Sequence, residues 1–362
     1  DKNDYTATFQ LLLNEAGTRY GENNNSYKVT DTLGYNMKLK WDENGEYILH
    51  VYKKTSSGYV AVDKSNYTFT TRSVEDNGKT MKVSTQKKGQ KVEADSCSYL
   101  FAEKENIESI DLTMLDTKDA TEMDGMFEGC ENLKTIDLAP LNTDNVENMS
   151  SMFEKCKSLT ALDISCLNTS KVTDMTMMFS GCEGLKSLDV SNFDTSKVED
   201  MMGMFSFCES ISELDLSSFD TSNVTDMNEL VGYCSALKNI NLSSFNTEKV
   251  ETMENLFEGC KNLETIDISS FNTKNVADMY SMFSGCEKLK KLDLSNIDFQ
   301  KVTDDSDMFE SCDSLEVHLS RIVIAICCLT LHTHGKIAKE RNYLITLTNF
   351  PRMWQTHIQK CQ

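Results

Sequence analysis

The stretch MTMMFSGCEGLKSLDVSNFDTSKVED, residues 175–200, recurs along the chain with its cysteine in register. The cysteine returns every 26 residues, at Cys130, Cys156, Cys182, Cys208, Cys234, Cys260, Cys286 and Cys312. A phenylalanine stands three residues before each cysteine, with Val231 as the exception. A fixed period of about 20 to 50 residues is the signature of a stacked repeat architecture. The sequence therefore predicts a tandem-repeat fold.

The first half of each repeat has a helical period. Its apolar residues follow the spacing i, i+3, i+4 and i+7, as in Met175, Met178, Phe179 and Cys182. This spacing predicts one face of a short helix that is buried in the core. An aspartate often precedes the first methionine, as Asp174 does, and an acid suits a helix N-terminus by capping and by the macrodipole.

The second half of each repeat predicts a short strand. Leu185, Leu188 and Val190 follow the spacing L-x-x-L-x-L, which is that of a leucine-rich repeat. Leu188 and Val190 then lie on the core side of the strand, and Asp189 points outward. We predict an α/β solenoid of leucine-rich repeats, with about eight coils of 26 residues. Each coil is expected to contain one short helix and one short parallel strand.

The chain divides into three segments of different composition. Residues 1–96 lack the repeat and alternate aromatic or β-branched runs with turn residues, which predicts a small β-rich accessory domain, immunoglobulin-like in style. Residues 97–320 hold the solenoid, and its first coil is degenerate because Lys104 takes the cysteine position. Residues 321–362 lose the repeat and nearly all acids. They are either a C-terminal cap over the last coil or a non-native reading frame.

The charge of the chain limits its partners. The net charge is −21, and the excess of acids lies in residues 97–320. An acidic array argues against nucleic-acid binding, which needs a basic footprint, and favours basic or cation-bridged partners. The longest apolar run, 322–331, is too short for a membrane-spanning helix, which needs about 20 residues. Because the chain starts at Asp1, the lack of a leader does not indicate a cytosolic protein.

The repeat cysteines are expected to be buried, unreactive thiols. Their sequence neighbours are apolar, and a free cysteine behaves as a small hydrophobe. Cys97 and Cys166 lie outside the repeat phase and are candidate exposed thiols. A threonine also recurs in phase, as at Thr195, and we interpret it as structural because a hydroxyl can bond nearby backbone at a turn.

The sequence contains no catalytic motif. It has no nucleophile elbow, Walker loop, H-E-x-x-H or paired-cysteine zinc spacing. Its acids recur with the repeat period, which is typical of a scaffold. We therefore expect neither an enzyme nor a bound cofactor.

The outward side of the predicted strands carries a ladder of acids. Its central position is occupied by Asp111, Asp137, Asp163, Asp189, Asp215, Asn241, Asp267 and Asp293. Carboxylates stacked about 5 Å apart repel by roughly 1 to 3 kcal/mol per pair, so the ladder needs relief from nearby hydroxyls, cations or a partner. One interpretation is an acidic surface for a basic protein patch or divalent cations. The other is that aspartate suits this turn and stays solvated.

Variable residues flank this ladder. Equivalent outward positions hold Glu213, Asn239, Thr265 and Lys291. Together with the acid ladder they form the candidate binding face, which we call the strand face.

Three repeat phrases resemble those of a known family. LKSLDVSNFDTSKVEDM (185–201), ISELDLSSFDTSNVTDM (211–227) and LETIDISSFNTKNVADM (263–279) resemble BspA-like leucine-rich repeats of bacterial surface proteins. The resemblance covers about 97–320 and implies a right-handed solenoid on an exported, cell-surface or secreted protein. It also implies adhesion to host, matrix or microbial proteins, and it transfers no catalytic site. The competing expectation is a purely structural stalk that presents other domains.

Overall fold

A computed structural model of the chain describes residues 27–30, 35–41, 47–55, 58–61, 69–73, 79–85 and 91–315. The segment 321–362, for which a cap and a non-native reading frame were the alternatives, lies outside the described residues. The predicted division into three domains stays a prediction.

Four N-terminal strands form an antiparallel sheet. In chain order they are β1 (Tyr27–Thr30), β2 (Tyr35–Trp41), β3 (Tyr47–Thr55) and β4 (Gly58–Ala61), and each pairs with the next. Aromatic and β-branched residues favour strands because they pack well on a pleated surface. Strands β2, β3 and β4 lie in such runs of the N-terminal segment. An immunoglobulin-like arrangement of these strands stays a prediction.

The next hairpin joins the repeats directly. Its strands are β5 (Phe69–Ser73) and β6 (Thr80–Thr85), and β6 pairs in parallel with β8 (Ser109–Asp111). Strand β8 pairs in parallel with β10 (Thr135–Ile136), so one sheet has the order β10-β8-β6-β5. The hairpin covers the sheet edge of the first coil, which would otherwise expose unpaired backbone groups.

Short parallel strands connect consecutive coils. Strand β7 (Val92–Glu93) pairs with β9 (Leu115–Asp116), and β11 (Glu213–Asp215) pairs in register with β12 (Asn239–Asn241). A second line of parallel bridges joins one residue of each coil to its equivalent in the next: Glu122, Asn148, Asp174, Asp200, Asp226, Thr252, Asp278 and Asp304. The predicted tandem repeat and its parallel pairing are confirmed.

The described residues contain no helix, so the short helix predicted for each coil is wrong. In the segment 175–182, alternate N–H groups have different partners. The N–H of Met178 donates to the carbonyl of Met175 at 3.2 Å, which closes a tight turn. The N–H of Met177 donates instead to the carbonyl of Met202 in the next coil, at 2.8 Å. This alternation continues to the cysteine and produces a stack of turns.

Left-handed residues explain why no helix forms. Met177 has φ 54° and Gly181 has φ 70°, and the same two positions are left-handed in the other described coils. A left-handed residue interrupts the helical hydrogen-bond ladder and directs its N–H toward the neighbouring coil. The inward spacing survives nevertheless, since Met175, Met178 and Phe179 are fully buried.

Methionine, phenylalanine, leucine and valine side chains form one continuous core. The rings of Phe127 and Phe153 stack with centroids 5.2 Å apart, and those of Phe153 and Phe179 stack at 5.8 Å. Full burial of such a side chain contributes about 1.5–3 kcal/mol. The interpretation of the methionine and phenylalanine stripe as core is confirmed.

Each repeat cysteine bonds the preceding coil. The thiol of Cys182 donates to the carbonyl of Phe153 at 3.2 Å, and equivalent bonds of 3.0–3.2 Å extend from Cys130 to Cys312. The described cysteines are free, and burial raises the pKa of the Cys130 and Cys234 thiols to about 12. Buried, unreactive thiols were predicted at these positions.

A buried threonine in each coil bonds the backbone of the next coil. The hydroxyl of Thr221 donates to the carbonyl of Asn246 at 3.0 Å and accepts the N–H of the same residue at 2.8 Å. The arrangement repeats at Thr117, Thr143, Thr169, Thr195, Thr247 and Thr273. The structural interpretation of this ladder is confirmed, although the partner is the neighbouring coil.

We expect Thr221→Val to lower the free energy of unfolding by about 2 kcal/mol or more, because each buried polar group left without a partner costs roughly 1–3 kcal/mol. Urea denaturation followed by circular dichroism measures this change. Thr221→Ser keeps the hydroxyl and should lose less, and Thr225→Val alters an exposed threonine and serves as the control. Equal stability of Thr221→Val and the unaltered chain would contradict the role of the threonine ladder.

Candidate protein-binding surfaces

The structure aligns the variable residues of the strand face across neighbouring coils. Glu213 lies opposite Asn239 in the β11–β12 pair, and Thr265 forms a parallel bridge with Lys291. All four residues are exposed. The strand face is thus a solvent-facing surface whose side chains differ in charge from coil to coil.

The acid ladder of the strand face is bonded within its own turns. Oδ1 of Asp189 accepts the N–H of Ser191 at 3.0 Å. The same contact, at 2.9–3.2 Å, is made by Asp111, Asp137, Asp163, Asp215, Asn241, Asp267 and Asp293. An Asx turn of this kind stabilises a local change of chain direction.

These contacts offset the repulsion expected along the ladder. The hydroxyl of Ser191, followed by its N–H, lowers the pKa of Asp189, and the neighbouring Asp163 opposes this only weakly. Hydrogen bonds from the serine two residues later also lower the pKa of Asp163, Asp215, Asp267 and Asp293. Of the two interpretations of the acid ladder, the geometry favours the one in which aspartate stabilises the local turn.

The ladder provides no cluster for a cation. Among the residues that the structure describes, no three histidine, cysteine, aspartate or glutamate side chains are grouped so that they could hold a metal ion. We therefore propose no divalent-cation site on the strand face.

We expect Asp189→Ala to lower the melting temperature because it removes the acceptor for the Ser191 N–H. Asp189→Asn should leave the melting temperature nearly unchanged, since Asn241 fills the equivalent position with the same contact. Differential scanning calorimetry of both variants measures the difference. If Asp189→Asn lowers the melting temperature as much as Asp189→Ala does, the stabilising contribution of Asp189 comes from its negative charge and not from the turn contact.

The two cysteines outside the repeat phase differ from each other. Cys166 is exposed as predicted, whereas Cys97 is buried, so its predicted exposure is wrong. Burial raises the pKa of Cys97 to about 12. The pKa of Cys166 is raised too, by partial burial and then by the carboxylates of Asp163 and Asp137. Neither thiol is activated as a nucleophile, which requires a lowered pKa.

The stacked turns create a second exposed surface, which we call the turn face. It lies along the positions equivalent to residues 176, 177, 180 and 181 in each coil, although Ser180, Ser206, Ser281 and Ser284 at these positions are buried. The exposed large hydrophobic residues of the described chain lie here: Tyr99 is 43% exposed, Phe207 40% and Tyr280 36%. The helix prediction did not indicate that these residues would form one continuous surface. A glycine recurring at the position of Gly181 was the signal for left-handed, outward-facing turns.

Aromatic rings on the turn face are stacked. The rings of Phe207 and Tyr233, both left-handed residues, are 4.6 Å apart and inclined by 6°. The far side of the Tyr233 ring lies over Gly259, where an added Cβ would come within 2.8 Å of the ring. Glycine at this position leaves the room that the stack needs.

Two glutamates, Glu229 and Glu258, act on the Tyr233 hydroxyl. The carboxylate of Glu258 accepts a hydrogen bond from the Tyr233 hydroxyl, and burial followed by this bond raises the pKa of Tyr233 to about 12. Partial burial, followed by repulsion from Glu258 and Glu254, raises the pKa of Glu229. We call Phe207, Tyr233, Tyr280, Glu229, Glu254 and Glu258 the acid–aromatic patch.

Carboxylates with raised and with lowered pKa values should make stability depend on pH in two directions. Burial raises the pKa of Glu122, Glu128, Asp226, Glu229 and Glu254, so each destabilises the ionised protein at neutral pH and stops doing so when protonated. The strand-face aspartates have lowered pKa values, so their contribution is lost below the ordinary aspartate pKa of 3.8. The melting temperature should therefore rise on mild acidification and fall in stronger acid.

Asp226→Asn tests whether a carboxylate with a raised pKa destabilises the protein at neutral pH. We expect it to raise the melting temperature at neutral pH and to lose this advantage as Asp226 of the unaltered chain becomes protonated. The turn should persist, because Asn148 accepts an N–H at 2.8 Å in the equivalent position, as Asp226 does. Thermal scans of both chains across mildly acidic pH measure the effect, and a less stable variant at neutral pH would contradict it.

The coils and their exposed faces define a tandem-repeat protein built on parallel pairing between coils. The chain belongs to the family described as Mycoplasma protein of unknown function, DUF285, which matches residues 95–214 and 204–322. No curated protein and no solved structure matches the chain. Within the described ranges, no helix has the length and apolar character needed to cross a membrane.

Proposed function

We propose that the chain is a non-enzymatic binding protein of the BspA-like leucine-rich-repeat class, located outside the cell or on its surface. The L-x-x-L-x-L spacing and the parallel strands support this class. Stacked turns replace the helix that was expected opposite the strands. Its partners are proteins of a host, a matrix or another microbe, and the negative charge of the repeats disfavours nucleic acid.

The contrast between buried and exposed positions carries this proposal. At equivalent positions the core keeps one type of side chain, whereas the strand face holds acid, amide, hydroxyl and amine at Glu213, Asn239, Thr265 and Lys291. Packing and hydrogen bonding between coils restrict the inward positions, whereas these four strand-face positions differ from coil to coil. A regular backbone with varied outward side chains is the arrangement that repeat proteins use as an extended binding surface.

A structural stalk is the second candidate. The bridges that join each coil to the next from Glu122 to Asp304 form an unbroken ladder, which suits a stiff spacer. A stalk needs no varied surface, so the two functions differ in what surface substitutions do.

The whole chain, immobilised on beads, should retain extracellular-matrix proteins or intact microbial or host cells. Replacing the four variable strand-face residues by alanine should reduce this binding at least tenfold if they make the contact. The matched control replaces Glu199, Thr225 and Glu251, which are exposed on another side of the coils. Binding is measured by flow cytometry for cells and by interferometry for purified proteins.

Circular dichroism must show that both variants fold. Unchanged binding by the strand-face variant would assign the contact to another surface. Failure of the unaltered chain to bind any of these proteins or cells would contradict the binding function and leave the stalk.

A further inference from the structure

The acid–aromatic patch is a surface that the fold does not require. Phe207 occupies a left-handed position that holds glycine in the preceding coil, at Gly181, and also in a later coil, at Gly259. Glycine adopts this conformation without the steric cost that a larger residue meets. The fold would therefore be served by glycine at residue 207, yet an aromatic ring stands there with 40% of its surface exposed.

Among the described residues, Tyr233 supplies the ring that stacks on Phe207, and no second ring stacks on its other side. Tyr233 covers one face of Phe207, and Gly259 lies beneath Tyr233. The equivalent residue on the opposite side of Phe207 is Gly181, which has no side chain of its own and lies against the stem of Lys155. Phe207 keeps 40% of its surface exposed to a partner, and the stack with Tyr233 holds its orientation.

The charges around the rings select the partner. Glu229, Glu254 and Glu258 lie in two neighbouring coils, and their mutual repulsion is part of the reason that the pKa of Glu229 is raised. A cation relieves this repulsion, and an aromatic face also attracts a cation through its quadrupole. The planar guanidinium of arginine both stacks on rings and pairs with carboxylates, which makes it better suited than the lysine ammonium.

We infer that the acid–aromatic patch binds a basic, arginine-bearing segment of a partner protein, with one guanidinium on the exposed part of the Phe207 ring and further cations at Glu229, Glu254 and Glu258. This inference rests on the proposed binding function and adds to the strand face a second contact site, on the turn face. The segment lies along the stack, across the coils that contribute these residues.

A soluble peptide of alternating glycine and arginine tests the site on the whole chain by isothermal titration calorimetry. The same peptide with lysine should bind more weakly, and one with neutral citrulline should bind weakest. Phe207→Gly should weaken arginine-peptide binding by about two- to fivefold, the range expected for a cation over one exposed aromatic ring. This variant should keep its fold because glycine stands at the equivalent positions.

Bulk charge is controlled by a matched pair of double variants. Glu229→Gln with Glu258→Gln should weaken binding more than Glu199→Gln with Glu251→Gln, although both change the net charge equally. Equal losses in the two double variants, or unchanged affinity in Phe207→Gly, would overturn the inference. Saturable binding of a neutral oligosaccharide, or self-association of the chain that Phe207→Gly abolishes, would also overturn it by giving the patch another occupant.

Failure of this inference can be distinguished from failure of the proposed function. If the chain binds cells or matrix proteins and Phe207→Gly binds them equally well, the patch is excluded and the binding function stands. If the chain binds none of them but the arginine peptide still requires Phe207, the patch is supported as a cation site and the adhesion function is lost.

Discussion

The fold depends on backbone groups that one coil cannot satisfy alone. In the stacked turns every second N–H has its acceptor in the next coil, as Met177 has in Met202. The buried hydroxyl of Thr221 likewise has both its partners in Asn246 of the following coil. Buried polar groups are costly unless they are bonded. A single coil would therefore be unstable, and stability comes from the interfaces between neighbours, as in other repeat arrays.

The same constraint explains the first coil. Its strand β8 has no preceding repeat to pair with, and β6 of the hairpin takes that place. Lys104 stands where later coils have cysteine, and it is almost fully buried, with a pKa lowered chiefly by that burial. Lysine is tolerated at this position because the first coil has the hairpin, and not another repeat, on one side. The terminal coil is thus an adapted cap.

Sequence periodicity predicts which residues touch, but it does not predict how the backbone brings them there. The 26-residue period correctly places Met175, Phe179 and Cys182 in one core with their equivalents. The helix prediction was wrong because a run of tight turns with left-handed residues places apolar side chains inward at the same spacing. The acid ladder was visible in the sequence, whereas its Asx-turn contacts needed coordinates. The turn face was missed because a helix would have placed residues such as Phe207 differently.

Left-handed positions also determine where this surface can vary. A non-glycine residue in that conformation costs about 1–2 kcal/mol, so the least costly choice is glycine, as at Gly181. Phe207 and Tyr233 accept that cost, and their stack offsets part of it through ring contact. Ring contact alone would favour a covered pair, yet Phe207 keeps a large exposed area. Neither the core nor the ladders between coils use that exposed area, which is why the proposed partner contact is placed on it.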